Sequence, residues 1–330
     1  MKNQEAIDHI NKRYSRFARN EAHGISAFYE QLALEICREE SLLHFISSLP
    51  VEKQQPNLLF AAVRYLYGTP DSPKHFLELI ARNHESIRAL VLTRSTQTNE
   101  PGRCATLLPA LNTLRQPLAL LEVGASAGLC LLPDRYSYDY GGQSLKAASP
   151  GGSAIPVFPC SANKATPVPA TMPEIIWRAG LDLYPVNLDN PQDVRWLEAL
   201  VWPGQAERGE RLRLAIEIAR KEPPMLVKGD LRTDVRGLAA LAPPDATLVI
   251  FHTAVLSYLR SREDIDLFVS VVNSLDAVWI SNESPELFPE AVTKLGKTPP
   301  KGQFMLMVDG DPVAFTGPHG QSIDWFEAHA

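Results

Sequence analysis

Residues 118–128 read LALLEVGASAG, and the rest of the chain is best interpreted outward from them. Leu118–Val123 is apolar except at Glu122, a pattern that predicts a short buried strand. Gly124, Ala125, Ser126, Ala127 and Gly128 follow at once, and the apolar run 129–132 predicts a helix that Pro133 stops early. A strand passing through small residues into a helix is how α/β folds bring backbone N–H groups against a ligand. The acid two residues before the first glycine argues against a phosphate, because it would set one anion beside another. A carboxylate there suits a cationic or hydroxyl-bearing ligand.

Acid-x-Gly-x-x-x-Gly after a strand resembles the first motif of class I S-adenosylmethionine-dependent methyltransferases. The resemblance implies an α/β fold with a Rossmann-like, mostly parallel sheet that ends in an antiparallel hairpin. It also implies that Glu122 faces the amino end of the methionine moiety, while Gly124, Ala125, Ser126 and Gly128 let the nucleoside approach.

Upstream, residues 4–115 read as helices. Ile7, Ile10, Tyr14 and Phe17 recur at helical spacing, and Pro56-Asn57 and Ser72-Pro73 each open a further helix. The expected organisation is a helical domain, 1–115, roofing the cleft of an α/β domain, 116–330. Between two of the helices lies a polar knot, Gln97-Thr98-Asn99-Glu100-Pro101-Gly102-Arg103. It reads either as a capping loop, with Thr98 or Asn99 serving the next helix, or as a substrate-facing group of Asn99, Glu100 and Arg103.

Downstream, Arg135–Gly142 reads as a solvent-edged hairpin, and the proline-rich run 149–173 as a lid or binding loop. Together they make an insertion at about 135–173. Glu174–Asp182 predicts a second strand, and its terminal carboxylate could accept both hydroxyls of a ribose. Asp182 lies far beyond the usual spacing of about 20 residues from the first motif. Asp139 has the better spacing and the weaker strand, so both stand as ribose candidates. A third strand from Met225 ends in Gly229-Asp230, where the resemblance implies an acid facing the adenine amino group. A helix cap is the plain alternative. The fourth strand, 246–251, runs into His252, a candidate base or substrate-orienting group beside the glycine loop. A fifth strand at 277–280 and a hairpin at 304–315 complete the sheet.

The same five loop residues fit G-x-S-x-G, the nucleophile elbow of α/β-hydrolases, with Asp309 and His319 following Ser126 in the required order. Against this stand the helical character of the chain before residue 118, the charge of Glu122 beneath the nucleophile, and strands ending in Asp182, Asp230 and His252. A non-catalytic nucleotide-binding protein is a third reading.

LLEVGASAGLCLLPDRYSYDYGG, with QTNEPGRCATLLPAL, RAGLDLYPVN, VKGDL and GPHGQSIDW, is similar to the signature of a bacterial family of unknown function. That family's fold is regarded as methyltransferase-like. Cys130 stands where the family usually has asparagine.

Composition narrows the partners. The net charge of −6 offers no basic face to nucleic acid, and no apolar run reaches the ~20 residues of a membrane span. MKNQEAIDHINKRY has no apolar core, so no secretory signal is expected. Cys37, Cys104, Cys130 and Cys160 form no C-x-x-C pair, which fits reduced thiols in a cytoplasm and no metal site. S-adenosylmethionine and a small-molecule substrate are the expected ligands. The sequence carries no signal of oligomeric state.

Overall fold

A computed structural model describes residues 2–97, 99–148, 154–259 and 261–327, with side chains from Glu5 onward. The chain forms two compact units, Met1–Gln97 with Asn190–Gly209, and Thr98–Asp189 with Glu210–Ala330. Helices in chain order are α1 (Lys2–Phe17), α2 (Ala27–Ile36), α3 (Glu40–Ser47), α4 (Pro56–Tyr67), α5 (Pro73–Thr93), α6 (Cys104–Asn112), α7 (Pro191–Leu200) and α8 (Ala206–Lys221). Shorter helices follow α8.

In the first unit, α2 and α5 begin where serines supply caps: Ser26 accepts from Tyr29 N and Ser72 from His75 N. Tyr14, Phe17, Tyr29, Phe60 and Phe76 form its aromatic core. Trp196 and Ala199 of α7 belong to the same core, and the Trp196 indole donates to Ser95 O at 3.0 Å. The stretch around α7 therefore packs with the helices, although sequence order sets it among the strands. Conversely, α6 and residues 99–103 pack within the sheet unit, so the division falls at 97/98 instead of near 115.

The second unit holds twelve strands among the described residues. They are β1 (Leu118–Val123), β2 (Ser137–Asp139), β3 (Ser144–Leu145), β4 (Val157–Pro159), β5 (Ser161–Ala162), β6 (Ile175–Asp182), β7 (Met225–Lys228), β8 (Thr247–Thr253), β9 (Val278–Glu283), β10 (Phe304–Val308), β11 (Asp311–Thr316) and β12 (Ser322–Trp325). The main sheet runs β5-β12-β11-β10-β9-β8-β1-β6-β7, and a small one runs β3-β2-β4. β7, β6, β1, β8 and β9 are parallel, and β10 enters antiparallel to β9. This is a mixed α/β architecture with a large, mostly parallel sheet. β1 is buried along its whole length because strands flank it on both sides, which is why it reads as an unbroken apolar run.

Three expectations are overturned. No α-helix follows the glycine loop: Leu129–Leu131 and Pro133–Arg135 form two 3-10 turns whose leucines are buried. Four apolar residues before a proline are too few to extend a helix. Second, the described part of the insertion is not an open lid. β4 pairs with β2 and β5 with β12, while Tyr136, Tyr138 and Phe158 are buried beneath them. The three tyrosine hydroxyls of 136, 138 and 140 donate to Leu129 O, Pro133 O and Ala105 O, so the hairpin is anchored inward. Residues 149–153 of the supposed lid lie outside the described residues. Third, β8 continues to Thr253, so His252 lies inside a central strand instead of beyond its end.

Candidate functional site

The order of strands reverses direction at β1: the chain proceeds to β6 and β7 on one side and to β8 and β9 on the other. In open α/β sheets a crevice opens at the carboxyl ends of the strands on either side of such a reversal. Here two non-glycine residues hold positive φ just past those ends, Ser126 (+52°) after β1 and Ala254 (+55°) after β8. Such conformations cost about 1–3 kcal/mol each and concentrate at functional sites.

The glycine loop is closely fitted. At Gly124, φ +72°, a Cβ would fall 2.4 Å from Val255 Cγ2, so the β8 loop packs directly on its backbone. Its amides are already satisfied by the protein. Gly124 N and Ala125 N donate to Leu181 O, Ser126 N to Asp182 Oδ2, Ala127 N to Asn99 Oδ1, and Gly128 N to Ala125 O. Because Ala127 N–H can only donate, Asn99 must turn its oxygen there and its Nδ2 towards Ser126 Oγ, 2.5 Å away. Asp182 Oδ1 accepts from Tyr184 N at 2.7 Å, so β6's terminal acid braces the loop.

Below the loop, Glu122 is 4% exposed, and Oε2 has no hydrogen-bond partner among the described residues. Burial pushes its carboxyl well above the usual range; Cys130 and Asp182 add to the rise, and Arg103 opposes it. Arg103 is itself buried, donating through Nε to Pro318 O (2.8 Å) and through Nη1 to Thr253 O (3.1 Å). Glu100 caps its own turn, accepting from Gly102 N at 3.2 Å, and its other oxygen lies 3.3 Å from His319 Nδ1. In the polar knot Glu100 performs the capping expected of Thr98 or Asn99, and Asn99 bonds to the glycine loop. Thr98 lies outside the described residues. The role of Thr253 was not foreseen, since a strand-end threonine carries no signal without its arginine.

Other candidates lie elsewhere. Asp139 is exposed, and its carboxylate caps the hairpin turn by accepting from Gly141 N and Gly142 N, away from the glycine loop. The carboxylate of Asp230 is filled by Arg232, whose side-chain hydrogen bonds hold it below the usual carboxylate range. Gly229 is packed against Leu181 and Asp234. His252 is wholly buried. The Trp279 indole, a donor only, points at its Nε2 (3.0 Å), so the proton is on Nδ1 and goes to Glu283 Oε1 (2.7 Å). With both nitrogens engaged in the core, His252 faces no substrate.

The hydrolase triad is not assembled. Asp309 accepts from Trp279 N at the start of β9, and its strand ladder is three strands from β1, about 14 Å on strand spacing alone. His319 meets Glu100 instead, and Ser126 Oγ, 1% exposed, faces the Asn99 amide. A fluorophosphonate should therefore leave Ser126 unlabelled; stoichiometric labelling lost in Ser126→Ala, read by intact-protein mass spectrometry, would contradict this.

A cavity of about 370 Å³ borders the loop at Ala127, lined by Val186, Leu188, Arg220, Pro224 and Leu226. Neither Glu122 nor Asp182 lines it. Among the described residues no helix is long and apolar enough to cross a membrane.

A family model described as an uncharacterized protein conserved in bacteria, DUF2332, matches residues 11–325. The chain belongs to that family. No curated protein matches the DUF2332 chain. A crystal structure of a possible exported protein from Bordetella parapertussis aligns over 87% of this chain and 74% of its own, at 11% identity and a TM-score of 0.29. A likeness that weak carries no argument.

Proposed function

We propose that this chain binds a small cationic ligand at the carboxyl ends of β1 and β8, and that the ligand is S-adenosylmethionine, serving methyl transfer to a small-molecule acceptor. The observation that carries the reading is Glu122, a buried carboxyl at the reversal of strand order with one oxygen unsatisfied. Leaving such a group buried costs about 1–3 kcal/mol. A cation arriving beside it would remove that cost and favour its ionised form. The parallel order β7-β6-β1-β8-β9, with antiparallel β10 at the side, supports the same reading as a methyltransferase-like, Rossmann-type sheet.

The residues fit this ligand at two points. Glu122 suits its amino end. Asp182 suits its ribose, since two N–H donors leave acceptor capacity on a carboxylate with about four lone-pair sites. Asp230 does not suit the adenine edge, because Arg232 fills it, and Asp139 is not part of the reading. When bound, the sulfonium supplies an electrophilic methyl group. The protein's task is to hold and orient: loop amides already spent within the fold leave recognition to side chains, and Asn99 and Arg103 keep the two strand-end loops in position.

Titration calorimetry of the full chain with S-adenosylmethionine tests this. Heat of binding at micromolar concentrations is expected, weakened at least about tenfold in Glu122→Gln, a loss of 1.4 kcal/mol or more. Absence of heat at high micromolar ligand, with folded protein, would overturn the reading.

A further inference from the structure

The cavity at Ala127 has no part in holding a cation at Glu122, since neither Glu122 nor Asp182 lines it. Its floor is apolar: Ala127, Val186 and Ala219 are buried, with Leu226 half-buried beside them. Its exposed wall carries opposite charges, Arg220 in the last turn of α8 and Asp189 beyond β6. Among the described residues these two side chains make no ion pair, with each other or with any neighbour. We propose that the cavity binds a free α-amino acid with an apolar side chain, its carboxylate on Arg220 and its ammonium on Asp189.

The walls are set before any ligand arrives. Pro185, Pro223 and Pro224 stand in them, each with its own φ fixed by its ring. At Gly128, φ +70°, a Cβ would fall 2.7 Å from Pro224 Cγ and 3.0 Å from Leu226 Cδ2, so the glycine loop closes tightly on this side. On the other side Val186 N donates to Ser126 O at 3.0 Å, which ties the segment after β6 to the same loop. Asp189 N donates to Asn187 Oδ1 at 2.9 Å, fixing the turn that carries the acid. Arg220 donates through Nε (2.8 Å) and Nη2 (2.7 Å) to Leu188 O, so one edge of its planar fork is anchored and the Nη1 edge is left to donate. The volume of about 370 Å³ falls within the ~300–1,000 Å³ of small-molecule sites, which pair apolar walls with a few orienting polar groups. A ligand with a single charge meets attraction at one of the two groups and repulsion at the other. A zwitterion meets attraction at both. The floor then selects the side chain, because a polar one would lose its water there without gaining a partner.

This site is independent of which ligand Glu122 receives, and its test uses no S-adenosylmethionine. Titration calorimetry of the full chain with L-phenylalanine, 3-phenylpropanoate and 2-phenylethylamine separates the two charges. Phenylalanine should bind at millimolar concentrations, the affinity expected of about a dozen heavy atoms in a half-open site. Each analogue lacks one charged group and should bind about fivefold more weakly, the scale of one exposed charge pair. In Arg220→Gln phenylalanine should weaken by about the same factor while 2-phenylethylamine binds no more weakly than before. In Asp189→Asn phenylalanine should weaken likewise while 3-phenylpropanoate does not. Both residues are exposed, so neither change threatens folding. Glu122→Gln should bind phenylalanine as the unmodified chain does. No heat from phenylalanine at millimolar concentrations, equal affinities for the three compounds, or loss of phenylalanine binding in Glu122→Gln would overturn the proposal, whatever calorimetry shows for the methyl donor.

Discussion

Glu283→Ala should lose at least about 3 kcal/mol of unfolding free energy, since each of three buried donors left without an acceptor costs about 1–3 kcal/mol. Glu283 is 1% exposed, and its Oε1 accepts from three donors: His252 Nδ1 at 2.7 Å, Val255 N at 2.7 Å and Leu256 N at 3.2 Å. Alanine leaves an imidazole N–H and two backbone N–H groups without acceptors in a site closed to water, and opens a cavity as well. The damage reaches the candidate site, because Val255 is the residue that packs on Gly124. Glu283→Gln keeps an acceptor in place and should lose less. Urea unfolding followed by near-ultraviolet circular dichroism reads both; an alanine midpoint equal to wild type would show that the network does not hold the end of β8.

Glu122→Gln should flatten the dependence of stability on pH. Burial raises the folded carboxyl well above its reference value of 4.5, so the folded chain holds this proton more tightly than the unfolded chain does. Below about pH 4 both states carry the proton and Glu122 contributes no difference. Above it, unfolding releases a proton, and stability falls by up to about 1.4 kcal/mol per pH unit until the folded carboxyl ionises. The glutamine variant lacks this loss, so it should be the more stable protein at neutral pH while binding the cationic ligand less well. The difference between the two pH profiles isolates Glu122 from every other titrating group. Parallel profiles from pH 4 to 8 would refute the raised carboxyl and, with it, the reason for expecting a cation beside β1.

Stability and binding are thus expected to pull in opposite directions at one residue. An unsatisfied carboxyl that destabilises the free protein is consistent with a group retained for what it binds, and the calorimetric and unfolding measurements on Glu122→Gln examine both sides of that trade.

Local sequence determined the elements whose signals fit within a few residues. The strand at Leu118–Val123 follows from its apolar run, α4 and α5 from Pro56 and from Ser72-Pro73, and the final hairpin from Asp309-Gly310 between two apolar segments. An acid in a strand directly before a glycine turn was also legible at Glu122, whereas its burial comes from β6 and β8 on either side. What a side chain meets across the fold was not legible. His252 and His319 look alike as residue types, and only tertiary structure seals one between a tryptophan and Glu283 and sets the other beside Glu100. Likewise only packing assigned α7 to the helical core, turned 129–131 into a 3-10 turn, filled Asp230 with Arg232, and carried Asp309 three strands away from Ser126. The physical reason is range: backbone preference is set within one turn of chain, whereas hydrogen-bond partners here are joined across distances such as that from Arg103 to Pro318, and only the folded core brings them together.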